Sequence, residues 1–106
     1  MFDIVGLGEN SIDEVYRLPA MPQPGTGAAK IRIREHTIFA GGQVATTMVA
    51  CAALGLRAKY IGVFGNDDGG RLVRRELDGR GVDHADVCGS GPLASPCSYV
   101  LATPIR

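Results

Sequence analysis

Asp13 is the first residue of the chain whose type and position could do chemistry. It lies just past a short apolar run at positions 2–8, FDIVGLG, which predicts a buried strand. Open α/β sheets bind ligands outside the carboxyl ends of their strands, and a carboxylate there can accept hydrogen bonds from two hydroxyl groups of a polyol. Taken alone, an Asp at such a position is more often a residue that caps a turn or faces solvent.

Gly41 and Gly42 are the second candidate feature. They stand near the start of a segment without a charged residue, AGGQVATTMVACAALGL at positions 40–56. Because glycine has no Cβ atom, backbone amides at the start of a helix can come close to a ligand, and Gln43 and Thr46 add polar side chains on the first turn. The alternative is a bulge that only redirects the chain.

Two phosphate-binding motifs are excluded. Gly6, Gly8 and Ser11 follow the first predicted strand with the spacing of a dinucleotide-binding fingerprint. That fingerprint needs a third glycine and a helix that begins at the loop, whereas here the third position is a serine and three prolines follow between positions 19 and 24. The P-loop pattern GxxxxGK[ST] does not occur in the sequence.

The elements that would position these residues alternate between strand and helix. Positions 2–8 and 59–65 predict buried strands, and positions 44–55 predict a helix that is apolar nearly all round and therefore buried. The acidic stretch NDD at 66–68 predicts the N-terminal cap of a second helix, which ends at Gly79. Such alternation indicates a parallel sheet with right-handed crossovers.

A separate, half-exposed sheet is predicted from the pattern KIRIR at positions 30–34. Charged and apolar residues alternate strictly there, as in a strand with one solvent-exposed face and one buried face. Such a strand does not fit a sheet that is covered on both faces. Short extended pieces at 15–18 and 98–103 complete the predicted strands.

Length and charge narrow the class of protein. With 106 residues the chain is long enough for one small domain, and its formal net charge of zero gives no electrostatic case for nucleic acid or a membrane as a partner. No apolar stretch approaches the ~18 residues of a membrane span and the N-terminus lacks the basic region of a signal peptide, so the default location is cytoplasmic. Cys51, Cys88 and Cys97 form no CxxC pair and predict packing residues in a reducing compartment.

Three stretches of the chain resemble the ribokinase-like, or PfkB, family of carbohydrate kinases. They are VGLGENSID, FAGGQVATTMVACAALGL and YIGVFGNDDGGRLVRRELDGRGVD. The second and third are similar to the N-terminal signature of the family, which is a Gly-Gly pair, a helix of small residues, and G-x-D-x-x-G before the next helix. The last of these elements is GNDDGG at positions 65–70, and the likeness runs along nearly the whole chain.

The resemblance implies a fold and a division of the domain. It implies a doubly wound α/β domain with a small β-sheet lid, and residues 1–106 would be the N-terminal part of that domain. The lid strands would lie at about 15–18, 30–40 and 98–103, and they would offer a surface for a homodimer.

The same resemblance implies site residues that bind a small-molecule sugar. Asp13 matches the aspartate that grips sugar hydroxyls, and Gly41 and Gly42 match glycines that contact the sugar. In this interpretation the glycines admit the sugar to the backbone, and the uncharged helix lies buried behind the site.

Several positions depart from the ribokinase pattern. Gln43 stands where ribokinases often carry lysine, Thr46 stands where they carry asparagine, and Ser11 replaces another polar asparagine. These departures leave the identity of the sugar open. Asp67 is interpreted as a structural cap and not as a catalyst.

The resemblance also implies an activity. In such kinases ATP, with Mg²⁺, donates its γ-phosphoryl group to a sugar hydroxyl, and a GAGD motif in the C-terminal half of the family supplies the catalytic aspartate. No GAGD occurs in this sequence, and no residue is assigned to ATP or to Mg²⁺. One hypothesis is that the chain supplies the sugar-binding half of a kinase and is inactive alone. The other is a non-catalytic remnant that acts as a sugar-binding or interaction module.

Overall fold

The computed structural model describes residues 1–27, 30–87 and 93–104, which form two three-stranded sheets and two helices. In chain order the elements are β1 Ile4–Leu7, β2 Ser11–Arg17, β3 Glu35–Gly41, α1 Gln43–Ala53, β4 Ala58–Gly62, α2 Asp68–Gly79, β5 Asp83–Asp86 and β6 Cys97–Ala102. The predicted alternation of strand and helix is therefore confirmed, and the division into two sheets is confirmed with it.

The first sheet is parallel and has the strand order β1-β4-β5. Both helices pack on one of its faces, where their apolar stripes join the β4 side chains in one core. The largest fully buried side chains are Tyr60, Phe64, Leu77 and Val73. Strand β5 was not predicted, because its sequence Asp-His-Ala-Asp has no apolar run; it forms by pairing with β4.

The opposite face of the parallel sheet is open among the described residues. Val5 is 53% exposed and Leu7 is 71% exposed, whereas Gly6 between them is buried against α1. The prediction of a strand buried on both faces at positions 2–8 is therefore wrong for this part of the chain. Apolar side chains alternate with the pleat, and here only one face has helices packed on it.

The second sheet has the order β3-β2-β6 and will be called the lid sheet. Strands β2 and β3 are antiparallel, with pairs from Ser11↔Gly41 to Arg17↔Glu35, and β6 runs parallel to β2 on its other side. The extended segments predicted at 15–18, 30–40 and 98–103 overlap β2, β3 and β6, each with shifted bounds.

The strand predicted at positions 30–34 is wrong. Residues 30–34 lie outside β3, which begins at Glu35, and the last backbone hydrogen bond to the neighbouring strand runs from the Arg34 amide to the Arg17 carbonyl at 2.8 Å. The reason lies in the partner strand. Beyond Arg17 the chain reaches Pro19, Pro22 and Pro24, and proline has no amide hydrogen for a strand ladder.

Helix α1 is not buried all round as predicted. Only Ala45 and Met48 are buried, and Thr47 and Ala50 on the far side are exposed. The helix contacts β1 and β4 with one face. Its lack of charge therefore does not correspond to full burial in the described part of the chain.

A search of the described residues finds no helix long and apolar enough to cross a membrane.

Candidate functional site

The candidate site lies at the seam between the two sheets. Strand β2 begins at Ser11, four residues after β1 ends at Leu7, and β3 ends at Gly41, two residues before α1 begins at Gln43. Two chain segments therefore pass between the sheets next to the carboxyl end of β1. This is the location where open parallel sheets bind ligands.

Asp13 and Gly41 are in contact at this seam. A Cβ atom added to Gly41 would lie 2.5 Å from Oδ2 of Asp13 and 3.0 Å from its Cγ. The carboxylate thus occupies the space that any side chain at position 41 would need. Ser11 pairs with Gly41 across the strands, and its hydroxyl donates a long hydrogen bond of 3.4 Å to Oδ1 of Asp13. Ser11, Asp13 and Gly41 therefore form one cluster.

Gly42 is required by the backbone itself. Its φ of 95° lies in a region that L residues rarely adopt, and an added Cβ would lie 2.5 Å from the Cα of Asn10 and 2.8 Å from the carbonyl oxygen of Glu9. That carbonyl accepts a 3.2 Å hydrogen bond from the Ala45 amide. Protein atoms therefore fill the space beside both glycines. Packing at the seam requires that neither residue has a side chain, whether or not a ligand also approaches them.

Gln43 and Thr46 lie further along α1 and are exposed. Thr46 lines a groove of about 450 Å³ between α1, α2 and β3, together with Gly41, Val49 and Leu72. Asp13 does not line this groove. The structure thus brings Gly41 near both places, but it does not place Thr46 in the Ser11–Asp13–Gly41 cluster.

Two side chains flank Asp13 on its own face of the lid sheet. Phe39 pairs with Asp13 on β3, and Ser98 pairs with it on β6. Phe39 is 52% exposed and Ser98 is also exposed. The carboxylate therefore has an aromatic neighbour on one side and a hydroxyl on the other, which suits a molecule with both a ring face and hydroxyl groups.

Asn10 is a structural member of the seam that sequence reasoning missed. It is 3% exposed, and its Nδ2 donates hydrogen bonds to the Tyr60 hydroxyl at 2.9 Å and to the Val63 carbonyl at 2.7 Å. The Tyr60 hydroxyl in turn donates to the Gly8 carbonyl at 2.5 Å. These bonds tie the chain leaving β1 to the chain leaving β4. No local pattern marks Asn10, because its partners lie 50 or more residues away.

Asp67 is a helix cap, as predicted. It is the N-cap of α2, and its carboxylate accepts a 2.8 Å hydrogen bond from the Gly70 amide. It also accepts hydrogen bonds from the hydroxyl and the amide of Ser95, which was not foreseen. The Ser95 hydroxyl, the Ser95 amide and the Gly70 amide together lower the pKa of Asp67 to about 2.

The cysteines and possible metal ligands add no further site within the described ranges. Cys51 and Cys97 are free thiols, half-buried and exposed respectively, and Cys88 lies outside the described residues. No group of three or more His, Cys, Asp or Glu side chains is arranged for a metal ion in the part of the chain that the structure describes.

Comparison with known proteins identifies the family. Residues 3–90 match the model of the pfkB family carbohydrate kinases. Since this match covers most of the chain, the chain belongs to that family.

Individual relatives are kinases of small sugar-containing molecules. A nucleoside kinase from Methanothermobacter thermautotrophicus is 26% identical over 99 residues, which is 93% of this chain and 31% of the relative. An ATP-dependent ribose-1-phosphate kinase from Halopiger xanaduensis is 35% identical over 83 residues, which is 78% of this chain and 27% of the relative. The chain therefore spans about a third of the length of the curated relatives that it matches.

The fold is shared with solved structures. A carbohydrate kinase from Agrobacterium tumefaciens superposes with a TM-score of 0.79 at 21% identity, over 97% of this chain and 32% of that one. At this identity the likeness concerns the fold alone. The ribokinase-like α/β fold predicted from the sequence is thus confirmed.

Proposed function

We propose that this chain supplies the substrate-binding face of an ATP-dependent kinase that phosphorylates a hydroxyl group of a sugar or nucleoside. One observation carries the proposal: the Asp13 carboxylate lies against Gly41 at the seam between the sheets, beside the carboxyl end of β1. The family membership and the two curated relatives support the class of reaction.

The role proposed for Asp13 follows from its chemistry. A carboxylate has two oxygens and can accept one hydrogen bond from each of two neighbouring hydroxyls of a furanose ring. Asp13 is half-buried, so part of the carboxylate can be reached from solvent while the rest is held by Gly41 and Ser11. Such a grip orients the substrate and leaves its reacting hydroxyl free.

The remaining site residues are proposed to contribute less. The first-turn amides of α1, next to Gly42, present the positive end of the helix dipole. Gln43 and Thr46 are exposed at the same end of the helix and could contact parts of the substrate away from Asp13. ATP, with Mg²⁺, would supply the phosphoryl group, and no residue of this chain is assigned to either.

The test measures substrate binding in the complete polypeptide in which this chain occurs. Calorimetry with D-ribose, ribose 1-phosphate and adenosine, in the presence of a non-hydrolysable ATP analogue, gives the dissociation constants of wild type and Asp13→Ala. We expect one of the three compounds to bind the wild type, and we expect Asp13→Ala to weaken its binding at least about 100-fold, because two charge-assisted hydrogen bonds are lost.

Glu35→Ala is the matched control, since Glu35 lies on the same face of the lid sheet and its carboxylate is exposed in an ion pair with Arg17. Equal affinities for wild type and Asp13→Ala, or no binding of any of the three compounds, would overturn the proposal.

A second candidate function is an interaction module, and exposed apolar side chains favour it. Leu7 on the open face of the parallel sheet is 71% exposed, and Ile38, Tyr99 and Leu101 on the lid sheet are 48%, 69% and 48% exposed. Surfaces of this kind commonly mark contacts between proteins.

Because the three lid side chains share the face opposite Asp13, we propose the lid sheet as the contact of a homodimer. Sedimentation of wild type and Tyr99→Ser separates the two candidates. A protein that self-associates through Tyr99 without binding any of the three compounds would favour the module over the kinase.

A further inference from the structure

The contact between Asp67 and Ser95 joins the N-terminus of α2 to the segment that leads into β6 of the lid sheet. Oδ1 of Asp67 accepts hydrogen bonds from the Gly70 amide at 2.8 Å and from the Ser95 hydroxyl at 2.6 Å, and Oδ2 accepts one from the Ser95 amide at 2.8 Å. The Asn66 amide adds a hydrogen bond of 2.7 Å to the Leu93 carbonyl. A helix cap needs only the first of these bonds, so the others require a second explanation.

The glycines of the GNDDGG stretch are shaped around Ser95. A Cβ added to Gly65 would overlap the Ser95 hydroxyl and lie 2.6 Å from the Ser95 amide nitrogen. A Cβ added to Gly69 would lie 2.9 Å from the Cβ of Ser95 and 2.9 Å from Cγ1 of Ile12. Two of the glycines in the stretch therefore leave room for the chain that enters β6, and Gly69 also leaves room for β2.

Ser95 stands two residues before β6, and β6 is bonded along its length to the strand that carries Asp13. The Ile12 amide donates a 2.8 Å hydrogen bond to the Pro96 carbonyl, and Asp13 pairs with Ser98. A short covalent and hydrogen-bonded path thus leads from Asp67 through Ser95 and β6 to the Asp13 carboxylate.

We propose that Asp67 and Ser95 form a latch that holds the start of β6 against the N-terminus of α2 and thereby sets the position of Asp13 relative to the parallel sheet. Both are positioning residues in this proposal, since neither needs to touch the substrate. The proposal rests on the proposed function only in taking Asp13 as the substrate-binding carboxylate.

Asp67→Asn separates the latch from the helix cap. Asparagine is as good an N-cap as aspartate, because its carbonyl oxygen can still accept the Gly70 amide. Its second polar atom is an NH₂ group, which is a donor and cannot accept the hydrogen bond from the Ser95 amide. Asp68→Asn is the matched control: it makes the same change of charge at the next residue, whose side chain is fully exposed and contacts only Arg71 among the described ion pairs.

The experiment follows hydrogen–deuterium exchange by mass spectrometry in the complete polypeptide, on peptides that cover β2, β6 and α2. For Asp67→Asn we expect exchange in the β2 and β6 peptides to rise about tenfold, with α2 unchanged, and substrate affinity to fall about 3- to 10-fold. Ser95→Ala should give a smaller change in the same direction, because the carboxylate still accepts the Ser95 amide and no new donor is placed against that amide. Asp68→Asn should resemble the wild type in every peptide.

Two outcomes would overturn the latch. Faster exchange confined to α2 would mean that Asp67 acts only as a cap, and exchange equal to that of Asp68→Asn would mean that the bonds to Ser95 hold nothing in place. The exchange measurement needs no ligand, so it tests the latch even if the binding experiment with Asp13→Ala contradicts the proposed function. Conversely, weakened binding in Asp13→Ala with normal exchange in Asp67→Asn would contradict the latch and leave the proposed function standing.

Discussion

The parallel sheet and the lid sheet are held together by different forces. In the core between the parallel sheet and its helices Tyr60, Val73 and Leu77 are at most 2% exposed, whereas on the lid sheet Phe39 is 52% and Tyr99 is 69% exposed. Burial of apolar area therefore stabilises the first, and strand pairing together with the burial of Ile12 in the same core stabilises the second. The lid sheet therefore depends on its attachment to the rest of the chain, and the candidate site lies at that attachment.

A leucine-to-alanine substitution in α2 and another in the lid sheet should show this difference in stability most clearly. Leu77→Ala removes a leucine that is 2% exposed from α2, and Leu101→Ala removes one that is 48% exposed from β6. We expect the first to lower the free energy of unfolding by about 3–5 kcal/mol and the second by less than about 1 kcal/mol. Urea unfolding of the two variants measures both, and equal losses would contradict the view that the lid sheet lacks a core of its own.

The two glycines of the seam should separate stability from binding. In Gly42→Ala the new Cβ meets backbone atoms at a φ of 95°, which should lower stability by about 2–3 kcal/mol. In Gly41→Ala the new Cβ meets the end of the Asp13 side chain, which can move away. That variant should lose about 1 kcal/mol of stability but most of its substrate affinity. Each variant is the control for the other. Gly42→Ala should lose more stability in unfolding experiments, and Gly41→Ala should lose more substrate affinity in calorimetry.

Asn10 offers a finer test of how the seam is built. Asn10→Ala removes the donor to the Tyr60 hydroxyl and to the Val63 carbonyl, and it leaves that carbonyl in need of a new partner. We expect a loss of about 1–3 kcal/mol in thermal or urea unfolding. Asn66→Ala, at an exposed asparagine in a loop, is the comparison, and it should lose far less.

The smallest expected effect concerns pH. The pKa of Asp67 is lowered to about 2 in the folded chain from an ordinary value of 3.8, so its contribution to stability is complete above pH 3.8 and is lost as the pH falls through about 2. Asp67→Asn cannot titrate. The stability difference between wild type and this variant should therefore be constant near neutral pH and shrink in acid, as unfolding curves at pH 2 and pH 6 would show. If the stability difference were the same at both pH values, the negative charge of the Asp67 carboxylate would not contribute to its hydrogen bonds with Ser95 and Gly70.

Much of this molecule could be predicted from local patterns. The apolar periodicity of residues around Val73 and Leu77 indicated α2, and Asp67 was recognised as its cap from type and position. Asp13, Gly41 and Gly42 were assigned to one sugar site from the family likeness, and in the structure Asp13 lies against Gly41.

Other features could not be predicted, because they depend on partners far away in the chain. The KIRIR pattern has the alternation of a strand, yet it lies outside β3 because the facing chain turns away through prolines. Strand β5 lacks an apolar run and exists because β4 pairs with it. Asn10 and Ser95 look like ordinary loop residues until Tyr60 and Asp67 are brought beside them.

Local sequence was enough to predict both helices, most of the strands, and the residues with the chemistry to bind hydroxyl groups. These properties depend on side-chain periodicity and on the conformational limits of glycine and proline, and both act within a few residues. The tertiary structure alone decided the strand pairing, the open face of the parallel sheet and the network at the seam. Hydrogen bonds across 50 residues, such as those of Tyr60 with Asn10 and Gly8, arise only when the chain has closed on itself, and they hold the seam at which the candidate site lies.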